Sequence, residues 1–367
     1  MRHLVFLLAV GISIPAMALA QVRSKVGPSV ACETCEITLT YLARLGEADG
    51  PGALASRPYS MARDSRGRFY LVTPETAGEP PFVFDKTGRF LTRLGRRGGG
   101  PGEYETPSVV LILPGDSVLV LDRRLARLTV LSPSYEVVRT APAPAGLMAA
   151  TRLVNGDLVL SFAVANRATA SRPLNQLDAA GNHLRSFGAK DAVFRPRYPH
   201  DQVRWLAAAR SGGVWSAHHL HKYVIERWSP AGEFELEVTR EADWFHSYGT
   251  WWLPTPDRSP APHVMGVWED DDGRLWVIGR VGGTDWVKGL GPGRLLERQM
   301  AYPIKDEQLV YDGFVDVIDP VAGVVLASRR LPGTVDVVVA PGTVGGVRES
   351  SEGWLYMEVS QVRLVRR

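Results

Sequence analysis

One recurring unit constrains this chain more than any other feature: short apolar-alternating runs, each closed by a turn rich in Gly, Pro, Asp or Ser. The clearest copy is the stretch from Gly95 to Thr140. After a Gly-Pro loop it reads Ser108–Leu113, Pro114-Gly115-Asp116, Ser117–Leu121, Asp122–Ala126, Arg127–Leu131, Ser132-Pro133-Ser134 and Tyr135–Thr140. No run in it has helix length and period, so it predicts one four-stranded antiparallel sheet.

The pattern continues in both directions. Ser60–Asp64 and Arg68–Thr73 flank a tight turn at Gly67, and Asn155-Gly156 is a strong hairpin signal between Ala149–Val154 and Asp157–Val164,. Similar units follow at Val203–Thr239 and Val264–Arg329. The inner turns are read at Gly67, Gly115, Gly156, Gly213, Gly273 and Gly353, spaced by 48, 41, 57, 60 and 80 residues. Spacings near the size of a propeller blade, widened by inserted loops, favour six blades over a β-sandwich. The last unit lacks an outer strand, whereas Glu36–Gly46 alternates like a strand and has no local partner,. Pairing Glu36–Gly46 with the final Gln361–Arg367 segment completes a sixth sheet and removes the open edges. The expected fold is therefore all-β, a six-bladed β-propeller of four-stranded antiparallel blades. Its organisation reads as a signal peptide over 1–20, an N-terminal segment over 21–56 with the closing strand (36–46) and a linker, and the propeller over 57–367.

Leu113–Leu121 with Asp122–Leu131, DRRLARLTVL, resembles the NHL-repeat blade, and GRRGGGPGEYETP is similar to the loop that introduces blades in bacterial exported six-bladed β-propellers. The resemblance is good over Gly95–Thr140. It implies the propeller fold and leaves function open, because such scaffolds host both binding proteins and enzymes.

Arg2 and His3, the apolar run Leu4–Pro15 and Ala18-Leu19-Ala20 before Gln21 read as a cleavable export signal,. That run is too short to cross a bilayer. No Cys follows the cleavage site, so the mature protein is expected to be periplasmic or extracellular without a lipid anchor. Cys32 and Cys35 are the only cysteines, and in an exported protein they predict a disulfide. Redox activity and a shared metal are the minority readings. The net charge of +3 is too small for nucleic-acid binding. No membrane span is expected in the mature chain, and a monomer is.

Loop length points to the working face. Connections between the first and second, and third and fourth, strands of each unit are short. The other face carries Thr73–Pro81, Gly95–Pro107, Val164–Pro173, Gly188–Gln202, Arg240–His263 and Arg280–Asp312, and long loops on a rigid scaffold collect binding residues. Arg240–His263 holds Trp244, Phe245, Tyr248, Trp251 and Trp252; Gly188–Gln202 adds Arg197 and Tyr198; Arg280–Asp312 adds Trp286 and a short helix over Arg294–Met300. Aromatics with Arg suit partner binding, although Trp251 and Trp252 also suit a small internal loop core. Arg123, Arg124 and Arg280 fall at strand ends on this face, where they meet either an acidic ligand or a neighbouring carboxylate.

His218-His219-Leu220-His221 follows a strand. If the strand continues, His219 and His221 share a side and with His200, His246 or His263 make a metal site. Peptide-amidating lyases resemble this arrangement in taking histidines from several blades. No cofactor is required by any motif, and a divalent metal is the one candidate. Glu269-Asp270-Asp271-Asp272-Gly273 reads as a solvated hairpin turn, lacking the ligand spacing of a calcium loop. The sequence contains no P-loop or G-x-S-x-G elbow. The function expected is an exported binding module engaging a peptide, protein or glycan through the long-loop face. The alternative is a metal-assisted propeller enzyme, a lyase or a lactonase-type hydrolase, with its site at the channel mouth.

Overall fold

A four-residue turn motif, Asp or Ser followed two residues later by a tight bend and Gly, sets the strand boundaries. Asp85 Oδ1 accepts from the backbone N–H of Thr87 and Arg89, and Asp64, Asp178 and Asp270 repeat the pattern on residues two and four further on. Gly88 takes φ +91° at the fourth position, a conformation costly for a residue with Cβ. Each such turn reverses the chain after a strand too short to stand alone, so successive strands pair with their neighbours.

The computed structural model describes residues 22–73, 78–162, 172–188, 203–296 and 299–367. Five of its six blades run in chain order from the inside outward. Blade one comprises Ser60–Arg63, Phe69–Val72, Phe82–Phe84 and Phe90–Arg93. Blade two has Pro107–Ile112, Val118–Asp122, Arg127–Leu131 and Val137–Pro142, and blade three has Leu147–Arg152, Leu158–Phe162, Leu174–Leu177 and His183–Phe187. Blade four has Arg204–Ala208, Val214–His218, Val224–Trp228 and Phe234–Arg240. Blade five has His263–Glu269, Leu275–Gly282, Tyr311–Asp319 and Val324–Leu331. Blade six takes Val337–Ala340, Thr343–Glu349 and Leu355–Arg366 from the end of the chain and Cys35–Leu45 from its beginning.

Closure follows the expected route. Cys35–Leu45 runs antiparallel to Leu355–Arg366, with Ile37 opposite Leu364 and Leu39 opposite Val362. The Cys32–Cys35 disulfide is formed at the start of this strand. Two details differ from expectation. Val22–Val26 adds a fifth strand, parallel, to the outer edge of blade four. Blade six turns between its first two strands at Pro341-Gly342, so Gly353 lies in the next turn, on the opposite face.

The core lies between blades rather than on the axis. Phe69, Phe82, Phe84, Val337 and Met357 fill the space between blades six and one. Val110, Val120, Tyr70 and Val83 fill that between one and two. The largest cluster joins blades four, five and six, from Trp215 and Ile225 through Trp276 and Phe314 to Val344 and Val362, and takes in Ile37 of the closing strand. Burial of this kind supplies most of the stabilisation, and each blade needs both neighbours to receive it. No helix among the described residues is long and apolar enough to cross a membrane.

Candidate binding face

The turns between first and second, and third and fourth, strands span only two to five residues. Every long connection lies on the other face. That face also has short connections, at 123–126, 143–146, 219–223, 332–336 and 350–354, so its long loops stand out singly. The two most extensive among the described residues are 241–262, before blade five, and 283–310, inside it. The segment expected to be a helix over Arg294–Met300 is instead a β-hairpin, with Arg294–Leu296 paired to Gln299–Ala301. The only α-helix among the described residues, Glu307–Val310, is capped by Asp306 accepting from Gln308 N–H.

Most of the aromatics expected here are held within these two loops or against the interblade core. Trp252 Nε1 donates to Ser259 O at 2.8 Å, with the Arg258 guanidinium 3.6 Å over the ring. Tyr248 Oη donates to Pro262 O at 2.9 Å, and its ring lies 5.0 Å from those of His221 and Trp252. Trp286 Nε1 donates to Thr255 O at 3.0 Å and so ties loop 283–310 to loop 241–262. Trp244 packs 4.5 Å from Phe314, as an extension of the interblade core. Trp251 is half-buried and shows no hydrogen bond or ring contact among the described residues. The large hydrophobic side chains these loops leave exposed are aliphatic: Leu253, Val287, Leu295, Met300 and Leu309. Leu295 and Met300 face each other across the hairpin.

The flagged arginines divide. Arg124 pairs with Glu105 at 2.8 Å in a solvated position. Arg280 is bonded through Nε to Asp336 Oδ1 at 2.7 Å and lies 3.3 Å from Glu307, which Arg57 also contacts. Asp336 accepts in addition from Thr334 Oγ1 and Val347 N–H, both at 2.7 Å. The group therefore pins blade five to blade six, and this pairing satisfies a charge that burial would otherwise destabilise. Arg123 has no ion-pair partner among the described residues and acts electrostatically on the Tyr59 hydroxyl, whose pKa burial raises. Arg197 and Tyr198, like His200 and the expected signal segment 1–20, lie outside the described residues.

The strand expected to carry the histidines ends at His218, and His221 takes φ +70°. Alternation therefore does not apply beyond it, and His219 and His221 diverge. His219 Nδ1 lies 2.7 Å from Val264 O, which also accepts from Trp205 Nε1 at 2.8 Å. His221 Nδ1 lies 3.1 Å from Tyr248 O. His263 is the imidazole next to His219, with ring centroids 5.4 Å apart, and Tyr311 follows at 5.8 Å. Burial first, then the charges of His219 and Arg280, hold the His263 pKa well below the usual histidine range,. No group of three or more His, Cys, Asp or Glu side chains suited to a metal ion occurs among the described residues. His246 is exposed on its loop. Asp270 of the acidic run caps its own turn and accepts from Trp276 Nε1 at 2.8 Å.

Tyr59 and Trp205, 5.7 Å apart, border this mouth of the central channel. Sequence reasoning passed over both, although each is an aromatic at the start of an innermost strand, where side chains reach the axis. Glu307 and Asp336 were equally hidden, because their partner Arg280 is remote in sequence.

Residues 63–160 match the model of a family described as a 6-bladed beta-propeller, DUF5128. The chain is a six-bladed β-propeller. The propeller resembles a Bacteroides fragilis protein described as exported, at 9% identity and TM-score 0.57, over 94% of this chain and 100% of that one. It also resembles a DUF4221-family member from Bacteroides vulgatus, at 10% identity and TM-score 0.58, over 91% and 99%. The virginiamycin B lyase of Staphylococcus aureus aligns at 10% identity and TM-score 0.46, over 89% and 99%. No curated protein matches the propeller in sequence.

Proposed function

We propose that the propeller is an exported binding module whose partner docks on the loops of blades four and five. The observation that carries this reading is the exposed set Leu253, Val287, Leu295, Met300 and Leu309, gathered on two loops that Trp286 and Trp252 hold in place. Loops fixed before binding lose little entropy on association. Exposed aliphatic side chains including Met favour a protein or peptide over a glycan.

An immobilised peptide library tests the proposal. The wild-type protein should bind a subset of peptides, and Leu295→Lys with Met300→Lys should abolish that binding. Val321→Lys, at a position 93% exposed on the short-turn face, should leave it intact. Loss of binding in the Val321 variant, or retention in the double variant, would refute the assignment of the face.

A further inference from the structure

We propose that the channel end at the short turns, opposite the loops just described, binds the carboxylate of an amphipathic acid whose apolar part lies along the channel. All six innermost strands line a cavity of about 380 Å³, within the roughly 300–1,000 Å³ range of small-molecule sites. Between its two ends the lining is apolar: Met61, Leu111, Ala150, Leu206, Met265 and Val338, one from each blade. All of these except Met61 are only half-buried despite lying on the innermost strands. Their unburied surface faces the cavity, and covering apolar surface of this kind is favourable.

Charge enters at one end. Arg63 and Arg152 are the last residues of the inner strands of blades one and three, and both line the cavity. Neither has an ion-pair partner among the described residues. Arg63 Nε is buried without a hydrogen-bond partner, and its guanidinium lies 5.2 Å over the Phe69 ring. The nearby acids are already engaged. Asp64 accepts from Arg68 Nε at 2.6 Å, and Asp116 accepts from Ser65 Oγ at 2.6 Å. Glu269, the one acid lining the cavity, accepts from Trp215 Nε1 at 2.8 Å and Arg210 N–H at 2.9 Å. Two guanidinium groups lacking counter-charges, one with a buried unbonded N–H, are suited to a carboxylate, which accepts several charge-assisted hydrogen bonds at once. At the far end Tyr59 and Trp205 limit the length of the apolar part.

A fatty acid and a peptide C-terminus share this chemistry, and calorimetric titration of the intact protein separates them. Octanoate is compared with octanol, N-acetylleucine with N-acetylleucinamide, and inorganic phosphate serves as a charge without a tail. At least one carboxylate should bind about tenfold more tightly than its uncharged counterpart, the value of one charge-assisted contact. Phosphate should bind more weakly than that carboxylate. Arg152→Gln, at a half-buried position holding no bond in the described structure, should reduce the preference for the charged form several-fold with the melting temperature unchanged. Equal binding within both pairs, or phosphate as tight as the carboxylates, overturns the proposal on the wild-type protein alone. A charge preference that survives undiminished in Arg152→Gln overturns it as well.

Discussion

Mild acid should loosen the propeller through His218, by an amount that follows from the surroundings of its ring. His218 ends the second strand of blade four, 3.4 Å from Glu226 Oε1. Burial, and then the charge of Arg204, lower its pKa from 6.5 to about 4 despite that carboxylate,. The folded ring thus stays neutral where the unfolded chain already takes up a proton. Its contribution to stability is complete above about pH 6.5 and is lost as pH falls through about 4. From about pH 7 to about pH 5 the linkage relation gives a loss of about 2 kcal/mol. The side chain keeps 18% of its surface, so solvent screening reduces this to about 1–2 kcal/mol. Urea unfolding of the wild type and His218→Gln at both pH values measures it. The variant should lose about 1–2 kcal/mol less than the wild type over that interval. His263 also destabilises the fold in acid, because its pKa is depressed, but it is present in both proteins and cancels. Parallel pH profiles would refute the reasoning.

Closure and turn geometry give further outcomes. Ile37→Ala, which empties a site 2% exposed in the closing strand, should cost about 2–5 kcal/mol in chemical denaturation. Gly88→Ala should destabilise by about 2 kcal/mol or more, since φ is +91° and a methyl there overlaps the Arg44 carbonyl of the closing strand,. Gly156→Ala, at φ +97° but facing only the mobile end of Arg152 at 3.3 Å, should cost about 1 kcal/mol, and the difference is read in the same assay. Replacing Cys32 and Cys35 together by Ser should lower stability by no more than about 2 kcal/mol, because the bridge closes a loop of sequence separation 3,. Zinc should leave the melting temperature of tag-free protein unchanged. A zinc-induced rise that disappears in His219→Ala would restore the metal-site reading.

The architecture was legible because it is written in local signals. Period-two alternation and turn residues such as Asp85 with Gly88 mark each hairpin without reference to distant chain. The orphan strand at Glu36–Gly46 revealed closure through the lack of a neighbour. Where a turn signal was right but its place in the blade was inferred from order, as at Gly353, the face came out reversed. The apolar pattern of Arg294–Met300 fits one helical turn or a short hairpin equally well, and pairing decided for the hairpin. Val22–Val26 was not read as a strand, because the parallel partner that makes it one, Phe234–Arg240, lies far along the chain.

The site was less legible than the scaffold. Composition located the aromatic loops, yet the direction of each ring depends on carbonyls such as Ser259 O and Thr255 O, whose positions are set by tertiary packing. The sequence by itself determined most of the strands and turns, because hydrogen-bonding reach within a hairpin is only a few residues, and counting the hairpins and the one orphan strand then gave the number of blades and the circular closure. Tertiary structure alone decided that Arg280 pairs with Asp336 and Glu307 and that the two histidines diverge. It also brought Arg63 and Arg152 to one end of the channel. Those relations join residues from different blades, and only the closed ring brings them within contact distance.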